Sequence, residues 1–480
     1  MKRTLQDAAR AVGGILTAGL PGGTIGAATP GIGASSGGTD ASFGAVSSDS
    51  RTLPPGALFV ALRGPNFDGA LFVAAAHAAG AAGALVERHM PVPLAQIVVP
   101  DALRALQRLA STWRADFDLP IVGVAGSNGK TTAKEMTAGI LSRTGTCMAT
   151  AGNLNNHIGV PLTLMRLERD LGSAVIEMGA NRIGDVAELV ELARPTVGLI
   201  TNAGAEHLEG FGDLDGVARG EGEMVEGLEP EATAVINADD AYAGYWRSIA
   251  GARRVLSFGV HGAADFMAKN LAQSIEGGEF VSRFTLHCPL GTCPILLKAG
   301  GAHNIANALA AAAAASAAGA SLEDIAAGLA DFRPVSGRLQ LKAGARGSWI
   351  IDDSYNANPS SVHAGLEVLR SLPGVTWLVL ADMAELGVHT TDSHAHIGSH
   401  ARDCGVTRLF AMGSQSCRTV ETFGAGGEWF ADADALIRRL QSELSAGVTV
   451  LIKGSRFNRL ERVVQALTGG TDSGRPMRAG

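Results

Sequence analysis

Short apolar runs alternate with amphipathic or alanine-rich stretches along most of the chain, the rhythm of parallel α/β domains. ALFVAL (57–62) predicts a strand, followed by a helix near 71–80 and two more strands at ALVE and IVVP. DALRALQRLASTWRADF (101–117) has helical spacing. IVGVA (121–125) runs as a strand directly into GSNGKTT and a helix reaching about Arg143. Further strands are expected at AVIEM (174–178), VGLITN (197–202) and AVIN (234–237). A last series comprises WIIDD (349–353), WLVLAD (377–382), RLFAM (408–412) and VTVLIKG (448–454). DFRPVSGR (331–338) reads as a hinge because its proline and glycine interrupt both periods. The expected fold class is α/β with three domains, 1–114, 115–334 and 335–480.

Composition narrows this picture. The 480 residues are 46% hydrophobic and only 18% charged, so several cores can be buried under a surface rich in small residues. A net charge of −7 argues against non-specific nucleic-acid binding, which needs a basic face. The five cysteines are scattered without a CxxC pair; we read them as reduced, incidental small hydrophobes of a cytoplasmic protein. The first residues lack the apolar core of a signal peptide. Ala302 to Ala320 is long enough to span a membrane, but alanine gives little transfer energy and His303, Asn304 and Asn307 crowd its start, so a packed helix without membrane insertion is expected. Pro21 to Gly38 is expected to be a flexible loop, and the residues from Thr468 a frayed tail.

The strand–loop–helix at Gly126–Thr132 carries the first chemistry. Glycines let backbone N–H groups of Gly126, Ser127, Asn128 and Gly129 approach phosphate oxygens, and the helix N-terminus adds positive potential. Lys130 would reach the β- and γ-phosphates of ATP, and the Thr131 hydroxyl, beside Thr132, would ligate Mg²⁺. The strict pattern places a glycine at 124, where this chain has Val124.

VAGSNGKTT followed by KEM (134–136) resembles the Mur ligases, which join amino acids and peptides to UDP-N-acetylmuramic acid. The resemblance extends through SSDSR (47–51), LFVALRGPNFDGALFV (58–73), GNLNNHIGVPLTLM (152–165), EMGAN (177–181) and TNAGAEHLEGFG (201–212). GAHNIANALAAAAA (301–314), PVSGR (334–338), IDDSYNANPSS (351–361), ADMAELG (381–387) and KGSR (453–456) continue it. It implies a small N-terminal domain for the nucleotide-sugar, a central P-loop ATPase-like domain and a C-terminal Rossmann-like domain for the incoming substrate. The last motifs are most similar to members that add D-alanyl-D-alanine to UDP-MurNAc-tripeptide through an acyl phosphate. Sister ligases adding another amino acid, or folylpolyglutamate synthetases, are the alternatives within the class, and a nucleotide switch that makes no bond is the alternative outside it. A monomer is expected.

The resemblance also implies site residues. Glu177 and His207 are expected Mg²⁺ ligands, and Arg338 an arginine that approaches the γ-phosphate. Asn304 would contact the adenine, with Asn307 as the second candidate and a helix N-cap as the competing role of Asn304; Asp353, or its neighbour Asp352, would hold the ribose. Asn356, Asn358, the ADMAELG loop and His394 are candidates for seating the dipeptide, and Lys453, Ser455 and Arg456 for gripping a substrate carboxylate. Ser50, Arg51, Arg63, Asn153 and Asn156 would bind the nucleotide-sugar. Ala70 stands where relatives often have histidine.

One departure bears on the chemistry. Most relatives carry, fourteen positions after the histidine, a lysine whose carbamate helps hold the second Mg²⁺. Here that position is Glu221, and no lysine occurs between Lys134 and Lys269. A carboxylate supplies permanently the anionic O–C–O group that a carbamate supplies conditionally, so Glu221 is expected to replace it. The competing reading is a solvated glutamate on an acidic helix that also carries Glu223 and Glu226.

Overall fold

The computed structural model describes residues 3–18 and 41–469. The expected loop Pro21–Gly38 and the tail beyond Gly469 lie outside the described residues. The chain forms two compact units.

The first unit comprises Met1–Ile121, Met148–Met178 and Glu188–Arg194. Its sheet has five strands in the order Ile15–Thr17, Gln96–Val98, Gly83–Val86, Leu58–Val60 and Val46–Ser47, parallel except for the first pair. The helix Ala102–Arg114 starts at Asp101, whose carboxylate accepts the Arg104 N–H. Its face of Ala102, Ala105, Leu106 and Leu109 is buried with Leu5, Leu58, Leu85 and Ile97. Arg114, where the sequence places its first boundary, donates to the carbonyls of Phe117, Ala193 and Arg194, so the compact unit continues past that point. The strand Ser173–Glu177 is buried throughout and ends on Glu177.

The second unit holds two sheets. In one, Ile121–Ala125, Val197–Ile200, Thr233–Asn237 and Arg254–Gly259 run parallel in that order. The long strands Phe266–Glu276, Glu279–Cys288 and Gly291–Leu297 extend it as an antiparallel meander, turning through Gly277 and Gly278 at positive φ. No apolar run announced this meander. The phosphate-loop helix Lys130–Leu141 packs on the helix Ala302–Ala317, in which Ala308 and every alanine from Ala310 to Ala315 are buried. Among the described residues no helix is long and apolar enough to cross a membrane.

The other sheet has the order Gln340–Ala343, Trp349–Asp353, Val448–Lys453, Val375–Ala381, Arg408–Met412 and Gly427–Phe430, antiparallel only at its first pair. Its two faces carry separate apolar cores, one around Leu366, Leu378 and Ile397, the other around Val379, Phe410 and Leu440. The expected hinge is irregular backbone between the helix Leu322–Asp331 and the strand beginning at Gln340.

Candidate active site

The parallel strand Ile121–Ala125 delivers the chain to Gly126 at φ +117°, where a Cβ would stand 2.1 Å from Thr201 Oγ1. Gly129, at φ +84°, opens the following helix, and a Cβ there would stand 2.2 Å from Asn307 Oδ1. Only glycine fits either position. Asn202 shapes the loop: its carbonyl accepts the Ser127 N–H at 2.9 Å and its side-chain oxygen the Asn128 N–H at 3.1 Å. Lys130 folds back on the loop, bonding the carbonyls of Gly126 and Ser127 and the carboxylate of Glu206 at 3.2 Å.

Acidic groups crowd the same place. Glu206 is buried, and loss of hydration raises its pKa although Lys130 and His207 oppose the rise. Glu221 is 1% exposed, which removes the reading of a solvated surface acid. Its Oε2 accepts the Gly126 N–H at 2.6 Å, while its Oε1 is buried without a hydrogen-bond partner among the described residues. Burial foremost, with Glu206 adding to it against Lys130, pushes the Glu221 carboxyl up to about 7. His207 sits at φ +47° with Nδ1 2.8 Å from Glu385, itself at φ +63°. Two non-glycine residues in left-handed conformation, held against one another, mark a site where strain is maintained by its surroundings. Burial pulls the imidazole pKa down, but the hydrogen bond that Glu385 accepts from the ring and the charge of Glu206 outweigh it, and the net shift is upward.

The orphaned Glu221 oxygen, a second buried carboxylate and the raised pKa values describe a cluster short of positive charge. Its hard oxygen donors suit Mg²⁺.

A cavity of ≈ 330 Å³ opens beside the loop, within the range of small-molecule sites. Asn128, Gly129 and Thr132 line it together with Asn304, Arg338 and Asp353. The sequence left unnoticed its other walls, including Asn237, Asp239, Val260 and His261. Asp239 shapes one of them by accepting the N–H groups of Val260, His261 and Gly262. Asn304 is not a helix cap: the cap is Gly301, and the Asn304 side chain donates to the Gly300 carbonyl at 2.8 Å. Asp353 and Lys453 face one another across paired strands, joined at 2.6 Å, and the same ammonium reaches the Asn356 carbonyl at 3.0 Å. Arg338 lies 4.2 Å over the Tyr355 ring.

Other expected contacts take different forms. His394 is fully buried; its Nε2 accepts the Met383 N–H and its Nδ1 meets the Thr390 carbonyl, so both ring nitrogens serve the backbone. It orients the ADMAELG loop rather than presenting a free edge. Asn358 caps the helix Pro359–Arg370 and donates to Asn128 Oδ1 at 2.9 Å. Ser455 bridges Ala384 N–H and Ala357 carbonyl. Arg456 is exposed and 3.4 Å from Glu461. Asp352 pairs with Lys342 at 3.1 Å and points away from the cavity lining.

Within the first unit, Glu177 accepts from Asn155 Nδ2 at 2.9 Å, a partner the sequence did not single out. Asn156 caps the turn before Gly159, accepting the N–H groups of Ile158 and Gly159. Asn153 and Arg63 are exposed, and Arg51 is bonded to Asp49 beside Ser50.

Known proteins are similar to this chain in sequence and fold. Residues 43–114 match the Mur ligase family catalytic domain, 124–315 the Mur ligase middle domain and 337–456 the Mur ligase glutamate ligase domain. The UDP-N-acetylmuramoyl-tripeptide–D-alanyl-D-alanine ligase of Escherichia coli K12 is 45% identical over 90% of this chain and 95% of its own length. The ligase of the same name from Bacillus subtilis is 34% identical over 88% of this chain and 92% of its own. A crystal structure of MurF from Acinetobacter baumannii superposes with a TM-score of 0.86 at 32% identity, covering 98% of this chain and 99% of that one. MurF from Thermotoga maritima in complex with ADP gives 0.77 at 26% identity, covering 89% and 97%.

Proposed function

The chain belongs to the Mur ligase family, and from that premise we propose that it joins D-alanyl-D-alanine to UDP-N-acetylmuramoyl-tripeptide at the expense of ATP, in peptidoglycan precursor synthesis. The observation that carries this reading is the cavity bounded by the phosphate loop on one side and by Asn304, Arg338 and Asp353 on the other, in a chain 45% identical to a ligase of that name.

A carboxylate is a poor electrophile, so the tripeptide carboxylate first takes the γ-phosphoryl group of ATP and becomes an acyl phosphate. We assign Lys130 and Arg338 to stabilising charge on the transferring group. The amine of D-alanyl-D-alanine then attacks the acyl carbon, and phosphate leaves from the tetrahedral intermediate. Glu221, Glu206, His207 and Thr131 are our candidates for holding Mg²⁺, which when bound neutralises the phosphate and carboxylate charge; for Glu177, in the first unit, we keep the role of a Mg²⁺ ligand as a separate proposal. Glu221 serves in place of a lysine carbamate, and Glu385 orients His207. Asn304 reads the adenine and Asp353 the ribose, while Lys453 holds Asp353 in place. Asn356, Asn358, Ser455 and Arg456 lie on the dipeptide side, with His394 orienting the loop there. Ser50, Arg51, Arg63, Asn153 and Asn156 address the nucleotide-sugar. We retain 1–114, 115–334 and 335–480 as the three functional segments.

The test supplies UDP-MurNAc-tripeptide, D-alanyl-D-alanine and Mg-ATP and measures ADP together with the pentapeptide product. One ADP per amide bond is expected. Phosphate release indifferent to D-alanyl-D-alanine would overturn the proposal in favour of a nucleotide switch.

A further inference from the structure

The fourth cysteine stands among other ligand-type side chains. Cys404 caps the helix Thr390–Asp403 and is buried against the neighbouring helix Pro359–Arg370. Around its thiol stand His400, one turn earlier, and Glu367 of the neighbouring helix, and their ligand atoms all lie within 4.8 Å of one another. Two more imidazoles complete the cluster: His363, one turn before Glu367, with its ring 4.1 Å from that of His400, and His396, 5.2 Å from His363. The spacing is regular on both helices, His363-x₃-Glu367 on one and His396-x₃-His400-x₃-Cys404 on the other. Residues four apart lie on one helix face, so the two faces turn five ligand-type side chains towards each other.

The distances fit a coordination polyhedron. Cys404 Sγ is 3.5 Å from His400 Nε2 and 3.7 Å from Glu367 Oε1, and those two are 4.0 Å apart. A tetrahedral ion with ordinary zinc bond lengths sets ligand–ligand edges of about 3.3 to 3.6 Å. Closing the triangle asks for about 0.6 Å along the His400–Glu367 edge, from the exposed side chain of Glu367. Arg370 meets the other carboxylate oxygen, Oε2, at 3.6 Å, leaving Oε1 turned to the thiol.

From this geometry we infer that Glu367, His400 and Cys404 form a three-ligand site for a zinc-class divalent metal, with the fourth position left to solvent. Thiolate and imidazole donors select late transition metals over Mg²⁺, so the site is chemically distinct from the oxygen-rich cluster at the phosphate loop. On binding, the ion displaces the thiol proton of Cys404 to solvent and forms the metal–sulfur bond in its place. The metal staples together two helices whose N-terminal regions carry Asn358 and His394. It would hold the two in register without touching substrate.

The test uses the full chain freed of metal with a chelator, kept in excess Mg²⁺ to occupy hard-oxygen sites, and titrated with Co²⁺. One equivalent is expected to produce a near-ultraviolet thiolate-to-cobalt charge-transfer band and intense tetrahedral visible bands, both reversed by Zn²⁺. Cys404→Ser should abolish the charge-transfer band. Glu367→Gln, at an exposed position that leaves folding intact, should weaken Zn²⁺ binding by at least about tenfold and shrink the Zn²⁺-induced rise in melting temperature. Absence of the band in the wild-type chain, or identical Co²⁺ spectra and Zn²⁺ responses in wild type and both variants, would overturn the inference.

Discussion

Replacing Glu221 with glutamine keeps the shape of the side chain and its bond to the Gly126 N–H, and removes only the charge. The carboxyl titrates at about 7 in the folded chain against an ordinary value of 4.5. Between those limits the folded state holds a proton that the unfolded chain has released, so stability falls as pH rises through the window. At about 1.4 kcal/mol per pH unit the full penalty is about 3 kcal/mol, present above the folded pKa and absent below the unfolded one. The glutamine variant has no such slope. Its amide NH₂, placed where Oε1 lacks a partner, carries its own cost of about 1 to 3 kcal/mol, but that cost does not vary with pH. The informative quantity is therefore a difference of differences. Moving from about pH 5 to about pH 8, the stability of Glu221→Gln relative to wild type should improve by about 2 to 3 kcal/mol. Urea unfolding of both proteins without nucleotide or divalent metal, followed by circular dichroism, measures it. A relative stability that stays constant between the two pH values would refute the account of Glu221 as a buried, uncompensated carboxylate.

Turnover in CO₂-depleted buffer should be unaffected by added bicarbonate, whereas Glu221→Lys should acquire a bicarbonate requirement; stimulation of the wild type would remove Glu221 from the carbamate's role. Lys130→Met leaves Glu206 without its cation and should cost about 3 to 5 kcal/mol of stability without ligand, and steady-state assays should find turnover reduced by a factor of at least about 10². Gly126→Ala forces a Cβ to within 2.1 Å of Thr201 Oγ1 at a positive φ; a loss of about 1 to 3 kcal/mol and a raised KM for ATP are expected from melting and kinetics. Glu385→Gln weakens what lifts the His207 pKa, so if the neutral ring is the working form, the acidic limb of the kcat/KM profile should move to lower pH.

Much of this was legible in the chain. The phosphate loop could be read because glycine, lysine and threonine at that spacing between a strand and a helix have few other uses, and its strand and helix lie where the pattern placed them. The buried parallel strands were readable as uninterrupted apolar runs. The meander from Phe266 to Leu297 was not, because its partly exposed strands mix polar and apolar residues with a break in register near Lys269. Glu385 was visible only as part of a loop motif, since nothing local states that it pairs with a histidine almost two hundred residues earlier. Asn155 was hidden in the same way, and the walls at Asn237 and Asp239 come from strand ends that carry no motif. His394 and Lys453 were singled out as substrate contacts, yet both ring nitrogens of His394 serve Met383 and Thr390, and Lys453, though it lines the cavity, already bonds Asp353 and Asn356. Sequence identifies a polar residue near a site more readily than it identifies the partner that residue already has.

The fold-back of Lys130 onto Glu206 gives the phosphate loop a tethered rival for its own ligand. A triphosphate entering the loop must draw the ammonium away from a carboxylate attached to the same scaffold, whose effective concentration no dilution lowers. Affinity for the nucleotide is then a difference between two anions competing for one cation. Glu206 thereby sets the affinity from outside the phosphate loop itself.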